Sequence, residues 1–167
     1  GSYRSNWRST RPRSCGWSLE HLLKDADDLE AYLQLPDEFF VREADVSNLV
    51  AADEKLGDAG IVQVETPDPI RVAAGLFSME DYTVIALTEP ELFRRLLEKV
   101  SLGIYGVVEK TAREFAGRLW RIRGAEYASE PYLPPRLFEE YVVRYTEPIV
   151  RSITRYGGSP GCTVTAG

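Results

Sequence analysis

Sulfur and imidazole are scarce in this chain. There are two cysteines, Cys15 and Cys162, near opposite ends, and one histidine, His21. A zinc centre needs three or four clustered ligands, usually in CxxC or Cys/His spacings, and no such spacing occurs. No metal site is therefore expected from these residues. The chemistry left to the chain is that of 26 carboxylates, 20 Lys and Arg and nine Tyr. Carboxylates can move protons, and Arg can clamp a substrate carboxylate with two parallel hydrogen bonds.

The charges are unevenly spread. Residues 1–17 carry Arg4, Arg8, Arg11 and Arg13 and no acid; residues 18–93 carry 18 acids against 4 bases; residues 94–167 carry 12 bases against 8 acids. The net charge of −6 argues against non-specific nucleic-acid binding. No apolar stretch approaches the roughly 18 residues of a membrane span. No apolar core follows the early arginines, as a signal peptide would require. A reducing, cytoplasmic setting is the expectation that goes with so few cysteines.

The elements that would position these groups can be read from punctuation and period. Residues 1–17, rich in Ser, Arg, Gly and Pro, read as an irregular basic lead or a weak hairpin strand. Asp25, Asp27 and Asp28 suit a helix N-terminus; Leu29, Tyr32 and Leu33 supply its apolar stripe, and Pro36 ends it. A second helix is predicted over Ser47–Leu56, with Gly57 as its stop. Ile61–Glu65 is a short β-branched run, followed by a loop at Thr66–Pro69 and a short helix from Ile70 to Phe77.

The clearest helix is predicted over 88–115. Thr88 and Glu91 read as a capping box, and Pro90 suits the first turn. Leu92, Leu96, Val100, Ile104, Val107, Thr111 and Phe115 recur every three or four residues. Gly103 and Gly106 weaken that helix and would admit a closely packed neighbour. In 118–124, Leu119 and Arg121 share one face and Trp120 and Ile122 the other, which predicts a strand. A loop over 125–134 leads to a last helix over 135–156, kinked at Pro148. Residues 157–167 show no hydrophobic period. Strand, long helix, strand, long helix is a βα alternation and predicts an α/β fold with parallel pairing.

Several segments resemble the uroporphyrinogen-decarboxylase-like family, which includes corrinoid-linked methyltransferases. They are Glu20-His21-Leu22-Leu23-Lys24-Asp25 with Asp28-Leu29-Glu30-Ala31-Tyr32-Leu33, then Thr88-Glu89-Pro90-Glu91-Leu92 with Arg95-Leu96-Leu97, then Gly124-Ala125-Glu126-Tyr127-Ala128. The most telling is Tyr132-Leu133-Pro134-Pro135-Arg136-Leu137-Phe138-Glu139-Glu140-Tyr141. The resemblance covers about residues 17–158 and implies a partial (β/α)8 TIM barrel over 18–158, an internal piece of a fold that usually needs about 250 residues.

Such a barrel carries its site at the carboxyl ends of its strands. The resemblance therefore implies Glu126 as the catalytic acid–base group, with Arg123, Tyr127, Glu65 and Asp68 binding substrate and Thr66 beside them. Arg123 would hold Glu126 ionised. The implied activities are tetrapyrrole decarboxylation or zinc- and corrinoid-linked methyl transfer. The implied partners, for an intact relative, are a tetrapyrrole, a corrinoid protein or a small methylated substrate. Zinc is implied only in an intact methyltransferase-type relative, with none expected in this chain.

The departures have consequences. The decarboxylase's paired Arg and its Asp would fall before Gly1, and Gly75 and Gly124 stand where that branch has a Tyr and a Ser on the tetrapyrrole. The methyltransferase's His-x-Cys strand would fall just after Gly158. Read from the third base of the Gly158 codon, the degenerate codons permit Leu-Ala-Arg-Val-His-Cys-His-Gly-Arg. The resemblance thus implies a slipped reading frame, a 159–167 tail that is not an evolved element, and a Cys162 that is no ligand. A chain of this kind is expected to be an inactive fragment, and its open strand edges predict self-association. The competing expectation is a non-catalytic α/β binding or interaction domain.

Overall fold

The computed structural model describes residues 7–8, 17–18 and 20–163. Within the basic lead, β1 (Trp7–Arg8) pairs antiparallel with β2 (Trp17–Ser18). The rest of that lead, Cys15 included, and residues 164–167 lie outside the described residues.

Helix α1 (Ala26–Leu33) starts where its acids place it: the Asp25 carboxylate accepts from the Asp28 N–H at 2.9 Å, satisfying one of the orphan donors of the first turn. Leu29 and Leu33 are buried, and Pro36 leads into a 3₁₀ turn at Asp37–Phe39. Helix α2 (Ser47–Leu56) ends at Gly57. Strand β3 (Gln63–Pro67) is shifted two residues from the β-branched run, so that Thr66 and Pro67, expected in a loop, close the strand. Proline is tolerated there because β3 is an edge strand among the described residues and Pro67 is its last residue.

Helices α3 (Pro69–Ala74) and α4 (Met79–Thr88) follow. Helix α4 has no counterpart in the sequence reading. Its start is marked by Ser78, whose hydroxyl accepts from the Asp81 N–H at 3.1 Å and donates to the Asp81 carboxylate at 2.7 Å. The capping box expected at Thr88 is not formed. Thr88 ends α4, its hydroxyl donating to the Val84 carbonyl at 3.0 Å, and Glu89 begins α5 (Pro90–Glu114) without a side-chain cap. Strand β4 (Leu119–Arg123) leads through a 3₁₀ turn, Ala125–Ala128, toward α6 (Arg144–Arg155).

The single helix expected over 135–156 is three pieces: a 3₁₀ turn at Pro135–Leu137, a wide π turn at Glu139–Val143, and α6. Pro148 lies inside α6. Its missing N–H leaves the carbonyl four residues earlier without its usual donor, and the wide turn immediately precedes that point. Residues 159–163, read as part of a tail without period, form β5 (Ser159–Thr163).

Strands β3, β4 and β5 make a parallel sheet in that order, with Pro67 opposite Arg123 and Arg123 opposite Thr163. The chain is thus α/β, and all three strands end at one edge. Alternation decides what each face does. Val64, Trp120 and Ile122 are buried against Ile104, Val108 and Phe115 of the α5 region and against Ile149 and Ile153 of α6. Burying each such side chain contributes about 1.5–3 kcal/mol. Glu65, Arg121 and Arg123 lie on the opposite face. A second cluster joins α1, α3, α4 and the first half of α5 through Leu29, Ile70, Phe77, Tyr82 and Phe93. The close neighbour expected at Gly103 is present: a Cβ there would collide with the Phe40 carbonyl oxygen, whereas one at Gly106 would meet nothing.

Candidate functional site

The carboxyl-terminal edge of the sheet brings two carboxylates to one glycine. Asp68 follows β3 and caps α3, accepting from the Arg71 N–H at 2.9 Å. Its own N–H donates to the Arg123 carbonyl at 2.9 Å, which ties the start of α3 to the end of β4. Gly124 follows β4 with φ 136°, a conformation that L side chains rarely adopt. Its N–H donates to Glu126 Oε2 at 3.1 Å. Its Cα faces Asp68, such that a Cβ would sit 2.8 Å from Asp68 Cγ and closer still to Oδ1.

Asp68 is 1% exposed. Burial pushes its carboxyl up to about 7; the Arg71 N–H opposes that rise, and the negative charge of Glu126 adds to it. The field of Asp68 reaches further. The Tyr82 hydroxyl is raised first by burial and then by Asp68. The Cys162 thiol is raised first by partial desolvation and then by Asp68. A carboxyl that titrates near neutrality can give or take a proton without a large driving force.

The other expected site residues divide. Glu65 and Arg123 meet on the open face of the sheet: Arg123 Nε lies 3.2 Å from Glu65 Oε2, and Arg121 also pairs with Glu65. The Arg123–Glu126 pairing expected from sequence is replaced by this one, because alternation sends the Arg123 side chain to the face that carries Glu65. Glu126 turns back instead to the Gly124 N–H. Thr66 is buried and donates to the Pro67 carbonyl at 3.2 Å. The Tyr127 ring lies between Tyr82 and Tyr132, with centroids 6.4 Å from each, and its carbonyl accepts from the Tyr82 hydroxyl at 2.8 Å.

One participant is not foreseen in the sequence. Tyr82 belongs to the overlooked helix α4. Cys162, which the resemblance implies is no ligand, lies on β5 opposite Ile122. The signal available for β5 is its position, a short turn after a long helix in a βα alternation.

Among the described residues no three His, Cys, Asp or Glu side chains converge. Among the same residues no helix is long and apolar enough to cross a membrane. No protein-family model, no curated protein and no solved structure matches this chain.

Proposed function

We propose that the carboxyl-terminal edge of this sheet is part of an acid–base site of the uroporphyrinogen-decarboxylase-like kind, able to bind an acidic substrate here and to act on it, in the cytoplasm, only in an intact relative. In this reading the strands β3, β4 and β5 are consecutive staves of a (β/α)8 barrel. The observation that carries it is the convergence of Asp68 and Glu126 on Gly124, at the ends of two parallel strands, where a barrel enzyme keeps its chemistry.

The division of labour follows from burial. Glu126 is half-buried and meets the substrate. Asp68 lies behind it, titrates near neutrality and serves as the proton store. In a decarboxylation the carbon that loses CO2 retains the bonding electron pair and takes up a proton, which comes from the protonated Asp68 and is relayed by Glu126, so that Glu126 ends the step as the carboxylate it was and Asp68 is left ionised. Arg123, on the open face, orients a substrate carboxylate. A tetrapyrrole with several carboxylates meets these requirements. A small methylated substrate and a corrinoid protein are the corresponding proposal for the methyltransferase branch.

Titration with uroporphyrin, followed by its absorption band and by the amide signals of residues 123–127, tests this reading. Saturable binding centred on those signals is expected. Arg123→Gln should weaken it about tenfold, the effect of losing one charge-assisted contact. Binding that is absent, or indifferent to Arg123→Gln, removes the assignment.

A second reading, an α/β interaction domain, is favoured by the sheet edges. Among the described residues neither β3 nor β5 has a neighbour on its outer side. Such edges template pairing with another chain, and a second copy of this chain is the simplest partner.

A further inference from the structure

Beside the free edge of β3, on the face opposite Glu65 and Arg123, the segment 35–42 stands off α5 and leaves a cavity of about 370 Å³. Its walls are apolar: Val100, Ile104 and Val107 from α5, and Phe39, 74% exposed, at the mouth. One cation lines it, Arg42. Among the described residues no carboxylate pairs with Arg42, and two of the neighbouring acids are engaged elsewhere. Asp37 is held by Lys99 at 2.6 Å and Asp45 accepts from the Ser47 N–H at 2.9 Å. Arg42 also borders the adjoining cavity, which Glu43 and Asp45 line with it, without an ion pair to either. Tyr32, also on the wall, has its hydroxyl raised by burial, and the charge of Arg42 opposes that rise. The guanidinium thus acts on a residue of the cavity wall.

We infer that this cavity binds an amphipathic monocarboxylate, with its head on Arg42 and its apolar tail along α5. A guanidinium matches a carboxylate with two parallel hydrogen bonds. Apolar walls with one charged group are the usual make-up of a small-ligand site, and a cavity of a few hundred Å³ takes a tail on the order of eight to ten carbons. The acids at 37, 38, 43 and 45 crowd the same segment. They repel a dianion such as a phosphate monoester more than a single carboxylate, which selects the monoanion. The site is independent of the Asp68–Glu126 edge and stands or falls apart from it.

Decanoate titrated into the whole chain, followed by calorimetry and amide shifts, is the test, with decanol and decyltrimethylammonium as controls. Decanoate should bind one per chain, shift the signals of Val100, Ile104 and Val107, and exceed both controls in affinity. Arg42→Gln, an exposed substitution that leaves the fold intact, should weaken decanoate about tenfold or more while leaving decanol unchanged. Arg42→Lys should restore part of the loss. Val107→Phe should fill the cavity and abolish binding. Equal affinity for decanoate and decanol, indifference to Arg42→Gln, or shifts confined to residues 123–127 would each overturn the assignment.

Discussion

Gly124 packs its Cα directly against the carboxylate of Asp68 while its N–H holds the carboxylate of Glu126. One residue without a side chain thus joins the end of β4 to the start of α3. It also sets the distance between two acids that are far apart in the sequence.

Gly124→Ala should therefore be severely destabilising. The methyl group would overlap Asp68 and the Arg71 Cβ, and φ 136° is strained for any L side chain. Strain of about 1–3 kcal/mol adds to an overpacking cost of about 1–3 kcal/mol. Urea denaturation should show a loss in the range of that sum, or no folded protein. A stability within 0.5 kcal/mol of the parent, the ordinary scatter of surface substitutions, would show that the loop relaxes and that the contact is not what fixes the two acids.

Asp68 should make the fold less stable as pH rises. Its carboxyl is raised from 3.8 to about 7 by burial. Below the unfolded value both states hold the proton. Between the two values the native state holds it and the unfolded state does not, so stability falls with each step in pH and levels off above about 7. The full difference is worth roughly 4 kcal/mol. Asp68→Asn keeps a good helix cap and removes the titration. The variant should lose this downward slope between about pH 4 and 7 and be the more stable form at pH 8. Parallel stability–pH curves for parent and variant would contradict the burial of this acid.

Much of the fold is written in local pattern, and the site is not. The alternation Leu119-Trp120-Arg121-Ile122 foretells both the strand and its buried face, and the repeat from Leu92 to Thr111 foretells α5. Strand β5 could not be read this way, because Ser159-Pro160-Gly161-Cys162 has little strand propensity. Its place comes from backbone pairing with β4. Helix α4 hides because Thr88-Glu89-Pro90 looks like one helix start when it is also another helix's end. Asp68 and Glu126 could be named from the ends of strands. Their meeting at Gly124, and the burial that sets the carboxyl of Asp68, depend on the β3–β4 register, which no local spacing encodes.

Gly103→Ala tests the second close approach. A methyl group there would press on the Phe40 carbonyl oxygen, a backbone atom that cannot swing away. A loss of about 1–3 kcal/mol is expected from overpacking, with the amide shifts concentrated in residues 35–42. Gly106→Ala, which meets nothing, should instead gain about 0.5–1 kcal/mol from helix propensity. Equal effects of the two substitutions would mean that segment 35–42 does not rest on α5.

The edges of β3 and β5, open among the described residues, should make the chain associate. Sedimentation velocity over a hundredfold range of concentration should show a rising average mass. A Lys introduced at Val62, just before the β3 edge, should lower that mass. A monodisperse monomer throughout would count against both the barrel-segment and the interaction-domain readings of those edges.

The most direct test of the acid–base site is the titration of the Asp68 carboxyl carbon by NMR, in the parent chain and in Glu126→Gln. The expected midpoint is about 7 in the parent. It should move down in the variant, because the negative charge that helps to hold the proton on Asp68 is gone. A midpoint near 3.8, the ordinary value for the side chain, or one that Glu126→Gln leaves in place, would mean that the two carboxylates are not coupled and that the edge of the sheet is not the site.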